Sequence, residues 1–330
     1  MFPSLVHLAS LTDDVGTIQH AFGTLPNRAT GYCTDDIARA AIVAIAHQSL
    51  DPSDPHAERI AHSSLAFLLH AQLPDGRFHN FMSYGREWLD DVGTEDSCGR
   101  ALWALGYARK HARNSDWRER CAVAFERGLA KVNAFTHLRP TAYAALGVAA
   151  AGERGAVAAA LLARLRDALA ANAEGDWDWY ESRMTYDNAR LPQAHLLLAD
   201  LLGDAEARKA ALAALAFYRS QNFEGELFSP VGNRGWLLRG GTRARFDQQP
   251  LEAAAAVDAF LAADRAGVPG ARADAERALQ WFHGRNVLGV ALVDDRGGCS
   301  DGVDEDGINA NRGAESTLAY LMATQTWELS

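Results

Sequence analysis

The sequence predicts an all-α protein in which six helical hairpins close into a ring, with inner helices around a common axis and outer helices outside them. Three observations predict it. Thr34-Asp35-Asp36-Ile37-Ala38-Arg39 and Thr185-Tyr186-Asp187-Asn188-Ala189-Arg190 both read T-x-D-x-A-R, and each precedes an Ala- and Leu-rich run. Thr94-Glu95-Asp96-Ser97-Cys98-Gly99-Arg100 is a looser third copy, and a recurring helix-opening motif marks internal repeats. Finally, Ala/Leu/Gly-rich helical segments alternate with segments richer in Arg and Glu, as helices buried on most sides alternate with solvent-washed ones.

The elements follow in order. Ser4–Ser10 reads as a short helix before the turn-rich Thr12-Asp13-Asp14-Val15-Gly16. Thr34 is an expected N-cap, with Asp35 and Asp36 in a first turn where the helix dipole favours acids. That helix runs to about Gln48 and stops before Asp51-Pro52. His56–Gln72 forms the next, closed by Pro74-Asp75-Gly76, and Thr94 opens a third to His111 after an aromatic connection. Ser115–Asn133, Arg139–Ala151 and Gly155–Asn172 read as helices, and Thr185 opens another after Trp177-Asp178-Trp179-Tyr180. Asp204–Gln221, a helix opened by Asp247, Arg272–Arg285 and Gly313–Trp327 complete the set.

An open solenoid would stack six hairpins into a curved rod. Closure explains better why every inner-helix start is polar, because all six then meet at the rim of one funnel. It also accommodates residues 1–330 in one domain, although 330 residues exceeds the usual single-domain size. In a six-membered ring the first and fourth units stand opposite, so Asp36 and Asp187 are expected to face each other across the funnel.

Composition narrows the partners. The net charge of −10 argues against nucleic acid or an acidic membrane surface, which need clustered Lys and Arg. Cys33, Cys98, Cys121 and Cys299 are scattered without a C-x-x-C pair, so neither a zinc site nor a disulfide framework is signalled. The N-terminal apolar patch lacks a basic flank and soon meets Asp13 and Asp14, unlike a secretory signal. No apolar run approaches the ~20 residues of a membrane span, so a cytoplasmic location is expected. No phosphate loop, dinucleotide fingerprint, H-E-x-x-H or G-x-S-x-G occurs, and no cofactor is expected. Asp301-Gly302-Val303-Asp304-Glu305-Asp306-Gly307 fails the EF-hand pattern, since its first and twelfth ligand positions are Gly302 and Gly313; no metal site is expected.

Glycosidic cleavage needs one carboxylic acid to protonate the leaving oxygen and a second carboxylate to activate water or attack the sugar. The expected funnel offers Asp36, Glu95, Asp96, Glu181, Asp187 and Asp247. Asp36 and Asp187 are the first choice as catalytic pair, with Glu95, Asp96 and Asp247 as rivals. Each has a purely structural reading too, as a first-turn acid that stabilises its helix by ~0.3–1 kcal/mol. Arg39, Arg100 and Arg190 follow their acids by three or four residues on one helix face, placed to orient the carboxylates or to meet an anionic sugar. A pyranose has an apolar face that stacks on rings, and Phe78, Phe81, Tyr84, Trp88, Trp177, Trp179, Tyr180, Tyr186, Phe228 and Trp236 all fall in loops entering inner helices. Core filling between hairpins is the common alternative for such residues. His79, Glu181 and Arg234 lie among them as further substrate contacts.

Taken together, the pattern resembles the (α/α)6 toroid, or six-hairpin glycosidase, superfamily over essentially the whole chain. Leu11-Thr12-Asp13-Asp14, Gln19-His20-Ala21, Pro26-Asn27-Arg28 and Gly31-Tyr32-Cys33-Thr34-Asp35-Asp36 are similar to a run in bacterial carbohydrate-associated proteins, some of which accompany glycosyltransferases. So is Asn311-Arg312-Gly313-Ala314-Glu315-Ser316-Thr317-Leu318-Ala319-Tyr320. The resemblance implies a carbohydrate-active enzyme and carries over no residue roles; from their place at inner-helix openings, Tyr32, Asp35, Arg312 and Glu315 are expected at the substrate. An inverting glycoside hydrolase acting on an oligosaccharide or polysaccharide is the leading expectation. An epimerase would need funnel-facing histidines, of which the sequence offers few; a lyase would use Tyr186 and Arg190. A non-catalytic carbohydrate-binding partner of a glycosyltransferase is the remaining alternative.

Overall fold

The computed structural model describes residues 2–330. Six helices form an inner ring: α2 (Thr34–Leu50), α4 (Glu95–His111), α6 (Leu138–Ala151), α8 (Arg190–Leu202), α10 (Pro250–Arg265) and α12 (Ala314–Glu328). Each packs on the next, and α12 returns to α2 to close the ring. The outer helices are α1 (Val6–Leu11), α3 (Pro55–Ala71), α5 (Ser115–Leu129), α7 (Ala156–Asn172), α9 (Ala205–Asn222) and α11 (Ala271–Phe282). The expected all-α, (α/α)6 toroid is what the chain forms.

Burial separates the two rings as the composition predicts. Nearly every residue of α10 from Pro250 to Ala263 is buried, whereas α5 buries only Cys121, Ala124, Phe125 and Gly128. Side-chain caps set the starts of several outer helices: Asp54 caps α3, Asn114 caps α5 and Asp204 caps α9, each satisfying backbone donors that a helix leaves free at its start.

Two inner helices begin later than their acids suggested. α8 starts at Arg190, and Asp187 lies before it at φ 48°; α10 starts at Gln249-Pro250, and Asp247 lies before it at φ 60°. Asp is among the few side-chain-bearing residues that enter the left-handed region readily. These two acids therefore shape turns instead of first helical turns, which redirects their side chains.

The tightest inner contact is between α4 and α6. A Cβ built on Gly106 would lie 2.3 Å from the Gly147 carbonyl oxygen, and one on Gly147 would lie 2.5 Å from the Leu102 oxygen. Such distances exclude any side chain without moving backbone. Gly147→Ala should therefore lower the unfolding free energy by about 1–3 kcal/mol, despite alanine's better helix propensity. Chemical denaturation measures it, and an unchanged or raised stability would contradict the close approach.

Candidate active site

The polar starts of the inner helices converge on a layer of buried charge. On α2, the Arg39 guanidinium donates to Asp36 at 2.7 Å and to Glu315 of α12 at 2.9 Å. From α4, Arg100 meets Asp35 at 2.6 Å, donates to Asp187 at 2.9 Å and to the Tyr143 hydroxyl of α6 at 2.7 Å. Tyr143 in turn donates to Asp187 at 2.8 Å. Arg190 on α8 stands 3.4 Å from Asp187 and 2.5 Å from Asp258 of α10. All three arginines are about 2 % exposed. A buried charge survives only when paired and hydrogen-bonded, so each acid here is tied to its guanidinium by necessity.

Above this layer opens a cavity of 320 Å³. Its carboxylates come from four inner helices: Asp35 (α2), Asp96 (α4), Glu252 (α10) and Glu315 (α12). Arg100, Tyr186, Asn233 and Gln249 complete its polar wall. The ring order sets α4 opposite α10, and so Asp96 opposite Glu252. Tyr186 donates its hydroxyl to Asp96 at 2.6 Å. Asn188 donates to Glu252 through its backbone N–H at 3.3 Å and its side-chain amide at 3.2 Å.

Burial shifts the acids upward, because removing a carboxylate from water disfavours its charged form. The Glu252 carboxyl is raised to about 7, by desolvation first and then by the Asp187 charge, against the opposing pull of the Asn188 donors. Asp36 is likewise raised to about 7 by desolvation, which outweighs Arg39. Asp35 moves up for the same reason, with Arg100 and Arg39 opposing.

The geometry places the expected catalytic pair outside the cavity. Asp187 is wholly buried among Arg100, Tyr143 and Arg190, and Asp36 is 3 % exposed against Arg39; neither lines the cavity. Glu95 points away from the axis, accepting from the Thr136 and His137 backbone at 2.8 and 3.0 Å. Desolvation pushes its carboxyl up, but these bonds together hold it below the usual range. Asp247 lines an adjoining cavity of 190 Å³ with His20, Asp301 and Asp304, which shares Gln249 and Glu315 with the main one. Of the five acids named as catalytic, Asp96 is the one in the main cavity.

The expected substrate contacts divide similarly. Asp35, Arg100, Tyr186 and Glu315 line the cavity. Tyr32 is buried and donates to Asp13 at 2.8 Å, while His79 stacks on Trp88 with ring centres 4.5 Å apart and bonds the Asp90 carbonyl. Trp177 and Tyr180 are core residues, packed on Phe217 and on Trp179 and His195. Glu181 is taken up by Arg139, Arg190 by Asp258, Arg312 by Asp294 and Arg234 by Asp304. Trp236, at φ 60°, donates to Asn233 at the cavity edge. Most of the aromatic belt thus fills space between hairpins, as large rings commonly do. Glu252 escaped the sequence reading because Asp247 was taken as the start of its helix; Pro250, favoured at the first helical position, was the signal for it. Among the described residues no group of three or more His, Cys, Asp or Glu is placed to hold a metal ion, and no helix is long and apolar enough to cross a membrane.

No family model matches the sequence, and no curated protein matches it. Solved structures do match its fold. A cellobiose 2-epimerase from Bacillus thermoamylovorans superposes with a TM-score of 0.75 at 10% identity, over 99% of this chain and 96% of its own. An α-mannanase of family GH76 from Bacteroides thetaiotaomicron gives 0.68 at 11% identity, over 97% and 93%. An inactive variant of an α-1,6-mannanase from Salegentibacter, with two adjacent aspartates replaced by asparagine and α-1,6-mannotriose bound, gives 0.58 at 13% identity, over 98% and 96%. The likeness establishes the (α/α)6 toroid fold.

A pH-dependent stability follows from the buried acids. Glu252 holds its proton more tightly folded, at about 7, than at its ordinary 4.5. Its stabilising contribution is therefore present below the lower value and lost as pH rises through the higher one. Unfolding free energy should fall by up to roughly 3 kcal/mol from this group as pH rises through that interval. Glu252→Gln should flatten that slope; an identical slope in the variant would contradict the assignment.

Proposed function

We propose that the chain is a glycoside hydrolase that cleaves an oligosaccharide with inversion, Glu252 serving as general acid and Asp96 as general base. The observation that carries the reading is a water-accessible cavity walled by carboxylates from opposite helices, one of which is desolvated enough to stay protonated near neutral pH. In this reading Glu252 protonates the glycosidic oxygen while Asp96 takes a proton from the water that attacks the anomeric carbon from the other face. The Tyr186 hydroxyl, hydrogen-bonded to Asp96 at 2.6 Å, holds that carboxylate in position. Glu315 and Asp35, held by Arg39 and Arg100, accept bonds from sugar hydroxyls. The carbohydrate-processing enzymes that share the fold support the substrate class, and the oligosaccharide is the partner proposed.

A second reading rests on the Salegentibacter mannanase, whose inactive variant has lost two adjacent aspartates. Asp35 and Asp36 are also adjacent, and Asp35 lies in the cavity. In this reading Asp35 acts on the anomeric carbon in place of Asp96. The cellobiose 2-epimerase that shares the fold motivates a third outcome, isomerisation without cleavage.

Cellobiose, α-1,6-mannotriose and a panel of other oligosaccharides, followed by proton NMR, separate the three. The first reading predicts an inverted anomeric product, and about 10²–10⁴-fold lower kcat in both Glu252→Gln and Asp96→Asn. Activity should fall as pH rises through about 7, where Glu252 gives up its proton. A retained anomer with Asp96→Asn unaffected transfers the role to Asp35, and an isomeric disaccharide without cleavage replaces hydrolysis altogether.

A further inference from the structure

Below the layer of buried charge, on the side of the ring away from the funnel, lies a second axial cavity of 220 Å³. Its apolar wall includes Ile42 and Ala46 of α2, Trp103 of α4 and Met322 of α12. Two acceptors on residues that line it have no hydrogen-bond partner among the described residues: Asp258 Oδ1 and Gln325 Oε1, on residues 4 % and 1 % exposed.

The orientation of Gln325 follows from its neighbour. His47 Nε2 lies 3.1 Å from the Asp54 carboxylate, which places the ring proton there and leaves Nδ1 as an acceptor. The Gln325 amide nitrogen, 3.4 Å from that Nδ1, is then the donor. Its oxygen is therefore the free end. Asp258 has one oxygen on Arg190 at 2.5 Å and the other unused. A buried acceptor left without a donor is destabilising, so two beside an open cavity call for something that donates to them.

We propose that this mouth of the ring is a binding site for a neutral, monosaccharide-sized polyol, whose hydroxyls donate to Asp258 Oδ1 and Gln325 Oε1 and whose apolar face lies against Trp103, Ile42 and Met322. The cavity is smaller than the roughly 300–1,000 Å³ that drug-sized ligands occupy, which excludes an oligosaccharide. The Arg190 guanidinium already balances Asp258, so no cation is required. The site is separate from the funnel and does not depend on how the funnel is read. It is nonetheless linked to it, because Asp258, Arg190, Asp187, Arg100 and Asp35 form an unbroken chain of ion pairs from one cavity to the other.

The test is calorimetric titration of the folded full chain with glucose, mannose, galactose and inositol, alone and with the funnel disabled by Asp96→Asn. Gln325→Leu removes one acceptor, and Ala46→Phe fills the cavity without touching the ion pairs; thermal melts confirm that both variants fold. At least one polyol should bind wild type and Asp96→Asn alike, and should bind roughly tenfold more weakly to Gln325→Leu and not measurably to Ala46→Phe. No polyol bound by Asp96→Asn, or affinity unchanged in both far-mouth variants, would overturn the site. Should Ala46→Phe unfold, Gln325→Leu and a crystal soaked with the tightest polyol decide, with water alone in the cavity counting against the proposal.

Discussion

The rest of this structure depends on the pairing of guanidinium and carboxylate groups across the axis of the ring. Arg39, Arg100 and Arg190 come from three inner helices, and each is nearly sealed from water. Isolated ions in such a place would be ruinously unstable. Together with Asp35, Asp36, Asp187, Asp258 and the Tyr143 hydroxyl they form a connected layer, whose partners come from α2, α4, α6, α8, α10 and the turn before α8. Breaking one member strands its neighbours, and the penalty for an uncompensated buried charge is several-fold larger than a paired ion's net gain. The layer therefore ties the ring in one arrangement, and it floors the funnel.

That floor explains how the acids divide their work. Asp187, drawn into it between Arg100, Tyr143 and Arg190, loses contact with the cavity. Those that stop short of it remain at the wall. Glu252 is intermediate: it sits beside Asp187 and under Asn188, desolvated but without a guanidinium partner of its own. A carboxyl in that position keeps its proton to about 7, which is the property a general acid needs at neutral pH.

The ring itself was legible in the sequence, and for a definite reason. Inner helices must be small and apolar on most faces, outer ones on a single face, and Ala-rich runs alternating with Arg/Glu-rich ones record that difference. Thr34 and Thr94 also marked their helix starts to within a residue. The two that slipped, at Asp187 and Asp247, did so because Asp favours both a helix's first turn and a left-handed turn before it. Residue type alone does not separate the two. The site was less legible, since its acids are distinguished by which guanidinium reaches them, and Arg100 reaches from one hairpin to Asp35 and Asp187 on others. The aromatic loops misled for a similar reason. Paired segments such as Arg183–Met184 with Leu237–Leu238 fold these loops over the hairpin tops, and rings like Trp179 and Tyr180 go inside with them.

The account turns on one titration. Carbon-13 NMR of the glutamate side-chain carboxyls, with Glu252→Gln used to assign the Glu252 signal, reads its protonation directly in the folded chain. A midpoint near 7 is what a desolvated acid beside Asp187 requires. A midpoint near the ordinary 4.5 would mean that Glu252 is an ionised wall residue at neutral pH, and the funnel would have no acid to protonate a leaving oxygen.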